Sequence, residues 1–356
     1  MNEATAAPVR ARRPPSGGGE VFAALDLGTN NCRLLVATPR SRGFQVVDSY
    51  SRIVRLGEGL SQSGRLGAAA MERAVGALSV CADRIRRRGA SHVRAVATQA
   101  CRSATNGAEF LAEVEARTGL RLSVISPREE ARLAVAGCLN LLDLEAKAAL
   151  VLDVGGGSTE LSWLDLSGGL ELHPDRRSYW RPPVVAWLSI PIGVVTLAER
   201  FPARPDGDMI GFRAMVEAFK AEVEAFDGAR SLEPVFAAGE AHLVGTSGAI
   251  TSLAGLHLRL PRYDRNRVDG LWLSRAECEA VARRVAGLTV AERGAEPCIG
   301  PDRADLVLAG AAILQAVQEA WPCERVRVAD RGLREGLLLS LMAEQRRRAR
   351  RGGDHT

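Results

Sequence analysis

The sequence predicts an α/β protein of two related domains facing each other across a cleft. Three observations carry this reading. Strand-like and helix-like segments alternate along the first half, the pattern of helices packed on a sheet. The pattern restarts near residue 148 with a segment that resembles the beginning of the chain. At 356 residues the chain can build two cores, since domains commonly run to ~100–200 residues.

Taken in order, "VFAALDLG" (21–28) reads as a strand ending in a turn and "CRLLVAT" (32–38) as the strand that returns from it. The stretch from Ala68 to Arg88 carries apolar residues three and four apart and stops at Gly89, so it reads as a helix with a glycine C-cap. "HVRAVAT" (92–98) is then a strand, "NGAEFLAEVEARTG" (106–119) a helix and "LRLSVIS" (120–126) a strand. The restart, "AALVLDVGGGSTELSWL" (148–164), aligns with the first hairpin: Asp153 falls on Asp26, Gly155 on Gly28 and Leu161 on Leu34. This predicts a duplicated hairpin with an acid at the same place in each copy.

The domain boundaries follow from these segments. Residues 1–20 read as a disordered arm, 21–143 as the first domain and 144–342 as the second, with a late helix crossing back onto the first. Residues 343–356 read as a basic disordered tail. The segment 173–187, rich in proline, arginine and tryptophan, reads as a loop or irregular hairpin between strands.

Composition excludes several classes. No apolar run approaches the ~20 residues of a bilayer span, and the arginine-bearing arm has no apolar signal segment, so a cytoplasmic protein is expected. Seven scattered cysteines without a C-x-x-C pair argue against a disulfide framework or zinc site and for reduced structural thiols. The net charge of +5 resides partly in the two ends, which normally stay solvated, so nucleic-acid binding is not expected. A homodimer is considered only because pairing would enlarge a basic groove.

Chemistry is concentrated in the turns. Glycine-rich turns expose successive N–H groups to an anion, and a nearby carboxylate holds a hard cation that shares the anion's charge. Asp26 and Asp153 are therefore candidates for metal or water positioning, against the alternative of aspartates capping their own hairpins. In "SPREEARL", Ser126 and Glu129 form a capping box behind Pro127, which gives Glu129 a structural task while Glu130 points elsewhere. A carboxylate in that first turn is placed to take a proton from an attacking water, or merely complements the helix dipole. Arg102, between a strand and a helix, is placed to hold phosphate oxygens. Ser247 in "VGTSGAITSLAG" (244–255) is either a phosphate contact or an N-cap. No H-E-x-x-H, G-x-S-x-G or P-loop pattern occurs, which removes zinc hydrolases, serine esterases and P-loop enzymes.

Seven stretches, in order "AALDLGTNNCRLLVA", "ATQACRSATN", "ISPREEARLAVAG", "LVLDVGGGSTEL", "SIPIGVVTLAERF", "GTSGAITSLA" and "ADRGLREGLLL", together resemble the exopolyphosphatase / guanosine pentaphosphate phosphohydrolase family. That family belongs to the actin-like ATPase superfamily, and the resemblance runs from about residue 21 to 340. It implies two actin-like (ribonuclease H-like) domains and Mg²⁺-dependent removal of the terminal phosphate from inorganic polyphosphate or from guanosine pentaphosphate (pppGpp). It also implies Glu130 as general base, with Arg102 stabilising charge, and Mg²⁺ near Asp26, Asp153 and Glu160. Phosphate contacts are implied for Asn30, Arg102, Gly155, Gly156, Gly157, Ser158 and Ser247. Two other readings share the fold: an actin-like ATPase or sugar kinase, and a sensor that binds polyphosphate or pppGpp without hydrolysis.

Overall fold

The computed structural model describes residues 20–41, 43–169, 182–202 and 209–353, so the arm before residue 20 and most of segment 173–187 lie outside it. The first sheet contains β1 (Phe22–Leu27), β2 (Asn31–Pro39), β3 (Phe44–Ile53), β4 (His92–Ala97) and β5 (Ser123–Val124) in the order β3-β2-β1-β4-β5. β1, β2 and β3 form an antiparallel meander, and β4 and β5 run parallel to β1. β1 is buried at every position because helices cover both faces of this sheet, so its apolar run shows no alternation.

The second sheet contains β6 (Ala148–Val154), β7 (Thr159–Asp165), β8 (Val184–Ile190), β9 (Ala241–Thr246), β10 (Trp272–Ser274) and β11 (Arg325–Ala329). Its order, β10-β11-β9-β6-β7-β8, contains the first sheet's order again as β8-β7-β6-β9-β11, with antiparallel β10 added at one edge. The duplicated hairpin is therefore the visible part of a duplicated topology, and the chain consists of two α/β domains of the same strand order.

Two details differ from the sequence reading. Val184–Trp187 are not loop: "VVAWLSI" has strand composition, pairs with β7 (Ser162 opposite Trp187), and starts just beyond Pro182 and Pro183. The basic segment after residue 343 is not irregular as far as residue 353, because helix Leu333–Gly353 continues through it, and residues 354–356 lie outside the described residues. Arginine is a good helix former, and positive charge in a last turn complements the helix dipole.

The chain passes between the halves through helices Pro127–Cys138 and Leu333–Gly353. Both pack on the first sheet, where Leu133, Leu337, Leu338 and Leu341 cover Phe22, Ala24 and Leu35. They touch through glycine: a Cβ on Gly336 would lie 2.0 Å from the Leu133 carbonyl oxygen, and one on Gly137 2.0 Å from that of Gly332. All seven cysteines are buried free thiols. No helix among the described residues is long and apolar enough to cross a membrane.

Candidate active site

The two acid turns have the same register. In the first hairpin Asp26 pairs with Arg33 and Gly28 N–H closes the turn on Asn31 O at 2.8 Å. In the second, Asp153 pairs with Glu160 and Gly155 N–H closes on Ser158 O at 2.9 Å. The turns meet at their tips. A Cβ on Gly156 would lie 3.0 Å from both Asn30 N and Thr29 Cβ, and one on Gly157 would lie 2.7 Å from Thr29 Oγ1. The side-chain-free backbone is thus needed first for the approach of one turn to the other.

Each tip is held from behind by its carbonyls. Gly57 N donates to Thr29 O at 2.9 Å, and Val54 N and Arg55 N donate to Asn30 O at 2.8 and 3.1 Å. The first amides of helix Val194–Arg200 do the same on the other side, Val194 N to Gly155 O at 3.0 Å and Val195 N to Gly156 O at 2.8 Å. Gly28 and Gly155 N–H are spent on closing the turns, and with the carbonyls engaged the tip amides between them and the returning strands are left for a ligand, as in an anion-binding nest.

A cleft of about 540 Å³ opens beside the turns. It is lined by Asp26, Asn30, Glu130, Asp153, Gly155, Gly156, Gly157, Ser158 and Ser247. Arg102 and Glu160 are not on that lining. Arg102 donates through Nη1 to Ile125 O at 2.7 Å and to Glu130 Oε2 at 3.3 Å, while Nε and Nη2 bind Gln99 Oε1. Glu160 lies one strand behind Asp153 and accepts from Ser189 Oγ at 3.0 Å.

The helix that carries Glu130 begins as its sequence dictates. Ser126 Oγ accepts from Glu129 N at 3.2 Å, with Pro127 in the first turn. The return half of the capping box is replaced, since the Glu129 carboxylate pairs instead with Arg94 at 3.2 Å and Arg132 at 2.8 Å. Glu129 is thereby turned outward, its side chain 28 % exposed, and Glu130 inward at 10 %. Ser247 acts as an N-cap, its hydroxyl accepting from Ala249 N at 3.2 Å and Ile250 N at 3.3 Å. Its φ of 136° is a glycine-like conformation that costs a serine ~1–3 kcal/mol, so the chain maintains strain at the cleft wall.

Sequence reasoning missed the cleft arginines Arg33, Arg265, Arg303, Arg331 and Arg334. Arg33 lies across the first hairpin from Asp26, and hairpin register was the signal available for it. Its guanidinium and that of Arg303 meet at the start of helix Gly248–His257, where a Cβ on Gly248 would be 3.4 Å from Arg33 Nη2 and 3.9 Å from Arg303 Cζ. Arg334, within the quoted "ADRGLREG", also lines the cleft, and burial makes its proton easier to lose despite Glu335 and Asp26 nearby.

Four buried acids dominate the electrostatics. Burial raises Asp26, opposed by Arg33 and Arg334. Burial and then Glu160 push Asp153 up to about 8. Burial raises Glu160 to about 7, opposed by Ser158, Ser189 and Arg102. Glu130 is pushed well above the carboxylate range by burial and then by Glu160, with Arg102 opposing. Such a cluster invites a cation.

Among the described residues no three His, Cys, Asp or Glu side chains converge into a metal cage. Mg²⁺ does not require one, because it keeps several waters and takes one or two carboxylates plus substrate phosphate oxygens. The first turn fits that mode: Asp26 Oδ1, Thr29 Oγ1, Asn30 Oδ1 and Asn31 Oδ1 are buried without a hydrogen-bond partner. Buried polar atoms of this kind are satisfied by water or a ligand.

These shifts set a pH dependence of stability. Asp153 and Glu160 hold protons more tightly folded than unfolded, so their contribution is full below the ordinary carboxylate range and is lost as pH rises through about 7 and 8. The melting temperature of the metal-free protein is therefore expected to fall between about pH 5 and about pH 8, less steeply in Asp153→Asn. Mg²⁺ is expected to raise it more at the alkaline end. A flat profile identical in both proteins would refute this assignment.

The chain is similar to known proteins over most of its length. The family model of the Ppx/GppA phosphatase family matches residues 35–345. Exopolyphosphatase 2 of Mycobacterium tuberculosis is 30% identical over 332 residues, covering 90% of this chain and 98% of the relative. The guanosine-5'-triphosphate,3'-diphosphate pyrophosphatase of Vibrio vulnificus is 29% identical over 342 residues, 93% of this chain but 61% of the longer relative. Among solved structures, the Aquifex aeolicus member of the Ppx/GppA family superposes with a TM-score of 0.72 at 27% identity, covering 92% of this chain and 98% of that one. An exopolyphosphatase from Cytophaga hutchinsonii shares the fold, with a TM-score of 0.77 at 22% identity over 91% of this chain and 98% of that one. The match extends across both domains and the crossing helices between them, and on that ground this chain belongs to the Ppx/GppA phosphatase family.

Proposed function

We propose that the protein is a Mg²⁺-dependent phosphohydrolase that removes the terminal phosphate of inorganic polyphosphate or of guanosine pentaphosphate. The observation that carries this is Glu130: a buried cleft carboxylate with raised proton affinity, beside two facing turns suited to phosphate. In this reading Glu130 accepts a proton from a water whose oxygen forms a bond to the terminal phosphorus. The bridging P–O bond breaks, its electron pair stays with the shortened chain, and orthophosphate leaves. Arg102 keeps the Glu130 carboxylate in place, while the turn amides, Asn30 and Ser247 hold the phosphate. Mg²⁺, when bound by Asp26 and Asp153 with Glu160 behind them, neutralises phosphate charge and polarises the phosphorus. The buried free thiols support a reducing, cytoplasmic setting.

The test is orthophosphate release with Mg²⁺ from short polyphosphate, long polyphosphate, guanosine pentaphosphate and ATP. Release from one of the first three with ATP left intact is expected. Turnover of ATP alone would favour the kinase-type reading, and tight binding without release the sensor.

A further inference from the structure

Outside the crossing helices, the contacts that span the domains include two made by side chains next to the segments that support the turns. Arg55, in a left-handed conformation (φ 46°) just beyond β3, donates from Nη1 to Asp305 Oδ2 at 3.0 Å. Its Nη2 donates to Asp305 Oδ1 at 3.1 Å and to the Asp302 carbonyl at 3.0 Å. On the other side Glu199 accepts from Gly59 N at 2.9 Å and from the Ser61 hydroxyl.

Each contact originates in the segment that sets one phosphate turn. Residues 54–57 hold the Thr29 and Asn30 carbonyls, and Arg55 belongs to that stretch. The stretch is tied to its own domain by Arg73, which donates to Val54 O at 2.9 Å and to Glu58 at 2.7 Å. Helix Val194–Arg200 holds the Gly155 and Gly156 carbonyls with its first amides and carries Glu199 in its last turn. A pull on either contact is thus delivered to a turn.

We propose that Arg55 and Glu199 are positioning residues, forming a two-point latch that keeps the phosphate turns face to face and sets the apparent affinity for the substrate's terminal phosphate. Neither touches substrate in this scheme, which rests on the cleft being the hydrolytic site. The contacts suit a reversible latch. The Arg55 and Asp305 side chains are 33% and 39% exposed, and exposed ion pairs are weak enough to break and remake in each cycle. The Asp305 carboxylate has no competing task, since it makes no capping bond at the start of helix Leu306–Ala320.

A protein that is competent only when latched shows an apparent dissociation constant divided by its competent fraction. Asp305→Ala and Glu199→Ala combined are therefore expected to raise KM about tenfold, with kcat within about twofold and the melting temperature little changed. Small-angle X-ray scattering of the substrate-free variant should show a larger radius of gyration. The exchanged pair Arg55→Asp/Asp305→Arg should reverse most of the KM increase seen in either single variant. An unchanged scattering profile overturns the latch, as does a joint fall of kcat and melting temperature, which would mark a merely structural contact. If the wild type releases no orthophosphate, the hydrolase reading fails and the scattering alone still decides the latch.

Discussion

Glu130→Gln is expected to lower orthophosphate release by about two to four orders of magnitude while leaving the protein folded. The substitution keeps the shape and one acceptor oxygen for Arg102, and removes the ability to take a proton. It also removes one acid from a buried group of four whose members raise one another's proton affinity, Asp153 and Glu160 most directly. The melting temperature should therefore hold or rise above pH 7, where Glu160, at about 7, begins to charge. Full turnover in the variant would move the base elsewhere. The neighbouring Glu129→Gln is the control, because its carboxylate faces Arg94 and Arg132 and its loss should leave kcat nearly intact.

The second large effect concerns stability. Gly336→Ala and Gly137→Ala each place a methyl carbon 2.0 Å from a backbone oxygen of the opposite crossing segment, and backbone cannot turn aside as a side chain does. Alanine gains ~1 kcal/mol over glycine in helix propensity, but overpacking of this severity costs ~3 kcal/mol or more. A net loss of about 2 kcal/mol or more in chemical denaturation is expected for each. Gly76→Ala, in helix Ala68–Arg87 with nothing within 4 Å of the new carbon, isolates the propensity gain and should stabilise by ~1 kcal/mol. If all three variants gained stability, the close crossing would be wrong.

Features that depend on neighbours in sequence were legible. Asp26 and Asp153 fell into register because a hairpin is a local object, and Ser126 with Pro127 identified the helix that aims Glu130 into the cleft. What was missed is long-range. Arg102 looked free to meet phosphate, yet its guanidinium is committed to Gln99, Ile125 and Glu130, a commitment that appears only once β4 and β5 lie side by side. Arg33 and Arg303 share one corner of the cleft from opposite domains; hairpin register points to Arg33 beside Asp26, but nothing local announces its meeting with Arg303. The glycine triplet was read for a ligand alone, and the packing of Gly156 and Gly157 on Thr29 and Asn30 of the other turn was not legible in either hairpin by itself.

The carbonyl supports behind the turns bear on how this protein tolerates inherited change. Because residues 54–57 and 194–195 shape the two acid turns, inactivating substitutions found by random mutagenesis should not be confined to acids and arginines. Gly57 is the sharpest instance: it makes no chemical contribution, yet any side chain there would meet Thr29 Cγ2 at 2.2 Å and displace the first turn. A map of tolerated variation would therefore show intolerant positions where no chemistry occurs, and a search for harmful alleles limited to the cleft lining would overlook them.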